Sequence, residues 1–191
     1  MEQIYIEEKT FDKNNFTMNP LTKGEYENCV FKGCDFSNSD LSEVKFIECE
    51  FLGCNLSLAN LSRTTFRDVK FKDCKMLGLL FYNCNEFGLT VNFDSCNLNH
   101  SSFYQRKIRK TSFINSRLNE VDFTECDLTN SVFDKCDLTD TKFENTVIEK
   151  ADFRTSFNYS IDPYLNRIKK AKFSLTNITG LLDKYDIEIE S

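Results

Sequence analysis

The sequence predicts an all-β solenoid, a chain wound into short stacked coils. Three observations predict it. Large apolar residues recur every five positions, as in Phe16, Leu21, Tyr26, Phe31, Phe36, Leu41 and Phe46, and continue to Phe153 with a single slip of two residues. A period of five is neither 3.6 nor 2, so neither an amphipathic helix nor an ordinary strand produces it, and a short period repeated this often marks a solenoid. The residue two before a large one is mostly small (Cys, Ala, Ser, Thr or Val), so both point inward as one short extended segment. The remaining three positions are mostly Asp, Asn, Ser, Thr, Lys and Glu, which suit an outward turn.

The elements follow in order. Residues 1–13 precede the pattern and are expected as an N-terminal cap strand. Residues 14–155 carry the repeats. In CNEFGLTVNF, residues 84–93, two extra residues enter near 84–92. Gly88 is expected there in a backbone conformation closed to other residues, and the insertion reads as a bulge on one side or as a bend of the rod. In YQRKIRK, residues 104–110, Arg106 falls in the small inward slot. An unpaired buried guanidinium is costly, so a basic bulge is expected to turn Arg106, Lys107, Arg109 and Lys110 outward. That bulge reads as a solvated edge or as a contact for an acidic partner. Residues 156–191 hold the last coil or a short helix. Asp162-Pro163 is a helix-start signal and predicts a helix over Pro163–Lys170, whereas Ala171 and Phe173 return to the core pattern and predict coil. The tail GLLDKYDIEIE offers Leu181, Leu182, Ile187 and Ile189 either to cap the last coil or to pair with a second subunit.

Composition narrows the function classes. The chain has 191 residues, enough for one domain with a sizeable core, and 19 Phe but no Trp. No apolar run approaches the roughly 20 residues of a membrane span, and Glu2, Glu7 and Glu8 stand where a secretory signal would be basic and then apolar. A soluble cytoplasmic protein is expected. The net charge of −6 argues against direct nucleic-acid binding. The nine cysteines all sit in the small slot, which is shared with Ala, Ser, Thr and Val and so reads as chosen for volume. Without C-x-x-C pairs they predict neither disulfides nor a metal site, only reduced, inert thiols.

Units such as CDFSN, SDLSE, CEFLG, CNLSL, ANLSR, CDLTN and CDLTD resemble the A/C-D/N-L/F-S/T-x motif of pentapeptide-repeat proteins. The resemblance implies a right-handed quadrilateral β-helix of about seven coils, with a short C-terminal capping or dimerisation segment. Four five-residue sides put residues twenty apart on one side, and Phe31, Phe51, Phe71, Phe93, Phe113, Phe133, Phe153 and Phe173 form such a column once the slip is allowed for. Seven coils at ~4.8 Å make a rod of roughly 34 Å. Within that family the chain is similar to the Qnr-type quinolone-resistance group, through EEKTFDKNNFT, DLTNSVF and GLLDKYDIEIE. That likeness implies a homodimeric DNA mimic that binds DNA gyrase or topoisomerase IV. The projecting loops of that group have no counterpart here.

The residues carry little chemistry of their own. His100 falls in an outward turn, and no nucleophile elbow, phosphate-binding glycine loop or HExxH motif occurs, so neither an enzyme nor a cofactor is expected. The outward slot before each large residue holds Asp35, Asp40, Glu50, Asp122, Asp127, Asp137 and Asp152. This acidic series reads either as turn-forming residues or as an ordered negative array imitating DNA phosphates. The competing reading of the whole chain is an interaction scaffold whose partner is unrelated to topoisomerase.

Overall fold

The computed structural model describes residues 4–189; residues 1–3 of the expected cap strand and 190–191 of the tail lie outside the described residues. The chain forms a four-sided parallel β-helix. Side I begins with a four-stranded sheet of β1 (Ile4–Glu7), β3 (Gly24–Glu27), β5 (Lys45–Ile47) and β7 (Thr65–Arg67). Side II is a seven-stranded sheet of β2 (Thr10–Asp12), β4 (Val30–Lys32), β6 (Glu50–Leu52), β8 (Val69–Lys72), β9 (Val91–Asp94), β10 (Ser112–Ile114) and β11 (Val132–Asp134). Sides III and IV are held by single parallel bridges, such as Asp35 to Asn55 and Asp40 to Asn60. Every pairing joins residues twenty apart, except across the insertion, where Val69 pairs with Val91. Residues 4–12 already pair in this register through β1 and β2.

The interior is the column that the period describes. Phe31 through Phe173 are stacked ring on ring at 4.5–5.4 Å, and Phe11 extends the stack by one ring at 4.8 Å. A second aromatic column runs beside it. Up to Phe66 it lies on side I, as Tyr26, Phe46 and Phe66; from Phe81 onward it lies on side IV, as Phe81, Phe103, Phe123 and Phe143. The two columns meet edge to face, the arrangement that ring quadrupoles favour.

The corners explain the polar fifth position. Asn38, Glu43, Leu58, Asn130 and their equivalents sit in the left-handed region, with φ of 55, 64, 59 and 61° for these four. Each non-glycine residue there costs ~1 kcal/mol, which the repeating inter-coil hydrogen bonds offset.

The small inward slot is selected for more than volume. Thr64, Thr141 and Thr146 donate their hydroxyls to the carbonyls of Leu41, Leu118 and Phe123, 23 residues earlier, at 2.6–2.8 Å. Ser156 does the same to Phe133. Cys49, Cys54 and Cys136 place thiols 3.2–3.3 Å from the equivalent carbonyls of Tyr26, Phe31 and Phe113. The slot therefore favours a small side chain that can also donate a hydrogen bond.

The two readings of 163–170 resolve to coil, and one local expectation is corrected. No helix forms over 163–170. The Asp162 carboxylate accepts the Tyr164 N–H at 2.8 Å, as in the other repeat turns, and Arg167 bridges to Val147. A centre residue such as Phe123 donates its N–H to the carbonyl 19 residues on, in the next coil. Pro163 stands in the last coil, where that donor is not required. The helical turn comes later, as a 3-10 helix over Leu175–Leu181 that closes the end of the rod. Gly180 lies so close over Tyr159 that a Cβ would come within 2.0 Å of its carbonyl oxygen.

The correction concerns 104–110, where no bulge occurs. Ile108 is buried, the Arg106 N–H donates to Phe103 and the Arg106 carbonyl accepts from Asp127, all in regular register. The side chain of Arg106 stays in the inward slot and is 16% exposed, with Nη1 3.9 Å from Glu86. The coil beneath it is the one widened by the insertion, which gives the guanidinium its room. Its Nε is buried without a partner among the described residues. The other three cations, Lys107, Arg109 and Lys110, do point outward.

Candidate functional surface

The acidic series begins as a turn device. At 2.9–3.2 Å the carboxylates of Asp35, Asp40, Asp122, Asp127, Asp137 and Asp152 accept the backbone N–H two residues on. Asn15, Asn55, Asn60 and Asn97 do the same with their side-chain carbonyls. These are Asx turns, the local reason for Asp or Asn at this position. Glu50 differs: it lies in β6 and pairs with Lys70 of β8 at 3.0 Å.

The structure does not bring the seven carboxylates together. Glu50 and Asp152 lie on side II, Asp35 and Asp137 on side III, Asp40 and Asp122 on side IV, and Asp127 on side I. Stacking accounts for the dispersal. Neighbours in a column are one strand spacing apart, where two carboxylates repel by about 1 kcal/mol even in water. The column on side III accordingly reads Asn15, Asp35, Asn55, Lys75, Asn97, Arg117, Asp137, with no two acids adjacent. Amides bridge the gaps: Asn55 donates to Asp35 at 3.3 Å and Asn60 to Asp40 at 2.9 Å.

The same contacts hold several carboxyls ionised. Hydrogen bonding from Ser42, with Lys23 adding to it, lowers Asp40 to about 2. Burial alone would raise Asp127 and Asp137. Arg109 and Thr129 outweigh it for Asp127, and Thr139, Asn158 and Asn119 for Asp137, so both are lowered. Asp152 is lowered by hydrogen bonding from Arg154. His100 is exposed, with Nδ1 3.3 Å from Glu120.

Charge is organised most strongly on side I. In its coils before the insertion, the outward and corner positions hold six acids (Glu7, Glu8, Glu25, Glu27, Glu48 and Asp68) against Lys45 and Arg67. After the insertion they hold seven cations against Asp127 and Glu149. Between the halves the insertion projects Phe87, which is 78% exposed. Its backbone is set by Gly88 at φ 75° and by Thr90, whose hydroxyl donates to Gly88 and accepts from Asp68 N–H. Leu80, Tyr82 and Phe87 are all exposed within eight residues of chain. Sequence reading missed Phe87 because it leaves the register. It missed the charge division because only sorting by twenty exposes it.

At the C-terminal end the four predicted tail residues divide. Leu181 packs against the core and caps it, and Leu182 is half-buried. Ile187 and Ile189 are about half exposed, and Tyr164, Leu175 and Tyr185 of the C-terminal region are exposed as well. No helix among the described residues is long and apolar enough to cross a membrane.

The repeat is matched by the pentapeptide repeat region, over residues 25–91 and 88–153. The chain belongs to the pentapeptide-repeat family. Two trypsin-treated forms of QnrB1, a plasmid-mediated fluoroquinolone resistance protein, superpose on this pentapeptide-repeat chain with a TM-score of 0.64. Each is 18% identical over 98% of both chains, a likeness of fold. HetL, a pentapeptide-repeat protein involved in heterocyst differentiation regulation in the cyanobacterium Nostoc, is 12% identical over 91% of this chain and 85% of its own, at a TM-score of 0.42. No curated protein matches the sequence.

Proposed function

We propose that this chain is a non-enzymatic, partner-binding rod that imitates DNA for a type II topoisomerase, DNA gyrase or topoisomerase IV. The observation that carries the reading is the end-to-end structural correspondence with QnrB1, a fluoroquinolone resistance protein. The adjoining sides III and IV support it. Their outward acids, among them Asp35, Asp40, Asp122 and Asp137, outnumber their cations, and the Asx turns hold these carboxylates in fixed positions. The exposed Ile187 and Ile189 would join two rods end to end and double the length of that surface. The test is direct binding of the purified protein to gyrase at low and high salt. Binding at low salt that is lost at high salt is expected, and no binding at low salt would end the reading.

One observation favours a second reading, a scaffold for a partner unrelated to topoisomerase. Charge on side I is divided rather than continuous, with Phe87 at the boundary. Capture of partners by the intact protein and by a Lys107→Glu/Lys110→Glu variant separates the readings. A partner lost with the variant, alongside no gyrase binding, would favour the scaffold.

A further inference from the structure

We infer that side I is a self-recognition surface on which a second copy of this chain docks side by side and antiparallel, with the two Phe87 side chains meeting at the twofold axis. The inference is independent of the topoisomerase reading and uses a surface that the end-to-end contact leaves free.

The argument starts from the register. Steps of twenty, with one of 22 at the insertion, carry Glu7 to Lys169 along side I in eight steps. The insertion stands at the fourth step, midway. Net acid lies on one side of this midpoint and net base on the other, so a copy turned end over end about Phe87 sets each half against its opposite, with Glu27 against Glu149 and Arg67 against Arg109 as the two like-charged steps. Glu7 and Glu8 of one rod then face Lys169 and Lys170 of the other, and Lys45 faces Asp127. The outer cations are available for this. Arg109 and Arg167 already bind Asp127 and Glu149, but Lys107, Lys110, Lys150, Lys169 and Lys170 make no ion pair with a described residue.

Other partners fit less well. An acidic partner would match the second half of side I and be repelled by the first; a basic one would do the reverse. A parallel copy would set like against like. Only an antiparallel copy answers both halves, and it does so twice, as an isologous contact requires. Phe87 suits the axis because an exposed aromatic ring on a short insertion, ringed by charge, has the composition of an interface centre. The face offers roughly 40 by 15 Å per rod, or about 1,200 Å² for the pair, the lower end of stable interfaces. Association is therefore expected in the micromolar range and to be salt-sensitive.

The experiment is sedimentation velocity of the full chain carrying Ile187→Lys and Ile189→Lys, which separates this contact from the end-to-end one. A dimer at low salt that dissociates at high salt is expected, weakened at least tenfold by Phe87→Ser. Glu7→Lys/Glu8→Lys and Lys169→Glu/Lys170→Glu should each abolish self-association, yet form a heterodimer when mixed. In that heterodimer one end contact is native and the other is swapped. Carbodiimide should also join Glu7 or Glu8 to Lys169 or Lys170. Within one rod these groups stand roughly 38 Å apart, so that cross-link can only be intermolecular. The variants change exposed residues, and their melting curves report whether they fold. A monomer at low salt in the tail variant, a dimer indifferent to both charge reversals, or failure of the mixed variants to associate would each overturn the inference. A dimer seen only with the tail intact would assign association to the C-terminal end alone.

Discussion

Thr146→Val tests what the inward slot requires. Valine copies the branching of threonine, so a slot chosen for volume alone leaves stability unchanged or slightly raises it. The structure predicts a loss. Thr146 is fully buried, and its hydroxyl donates to the Phe123 carbonyl at 2.8 Å. That carbonyl also accepts the Cys126 N–H at 3.0 Å, so valine leaves it half satisfied rather than orphaned. The cost then falls at the low end of the range for a buried unpaired group, about 1 kcal/mol. In a domain of this size that lowers Tm by about 2–4 °C. The companion variant is Val121→Thr. Its new hydroxyl meets the Leu98 carbonyl in the equivalent place, so a change that is usually costly in a core should be nearly neutral. Calorimetry and urea unfolding followed by circular dichroism measure both. An unchanged or raised Tm for Thr146→Val, or a loss above about 2 kcal/mol for Val121→Thr, would refute the donor argument.

Phe113→Ala removes a ring stacked between Phe93 at 5.1 Å and Phe133 at 4.8 Å and should cost about 4 kcal/mol, read from the urea midpoint. The carboxyls of Asp40, Asp127, Asp137 and Asp152 titrate lower folded than unfolded, so their stabilisation is complete above the unfolded carboxylate range. It is lost as pH falls through the folded values: Tm should hold steady from pH 7 to 5 and drop between about pH 4 and 2, and Asp137→Asn should flatten that drop. The buried thiols of Cys49, Cys126 and Cys136 are pushed up to about 12, chiefly by desolvation, so a disulfide reagent at neutral pH should label them only after denaturant is added. Gly180→Ala should loosen the C-terminal cap, seen as faster amide exchange at Tyr159 and Ile161 with the central coils unaffected.

The inside of the rod was legible in the sequence because each coil repeats one packing problem. Phe31, Phe51 and Phe71 solve it identically, and the solution shows as a period. The donor function of the inward slot was less legible, since Cys, Ser and Thr are small residues and hydrogen-bond donors at once. Arg106 was misread because the room for it belongs to the previous coil, where the insertion widens the wall. Pro163 left two readings open because Asp-Pro opens a helix and an Asx turn alike, and only the missing next coil decides between them. The outer surface was the least legible. Asp35 and Asp40 are neighbours in the chain but face different sides, whereas Glu7 and Glu27 share one. Patterns in the linear order of charges therefore say little about patterns on the rod.

The most direct test of the functional account is competition between this protein and linear duplex DNA for gyrase at low salt. A DNA mimic is displaced by the duplex in proportion to its concentration and is released as salt rises. Binding that the duplex does not disturb, or no binding at all, would contradict the account.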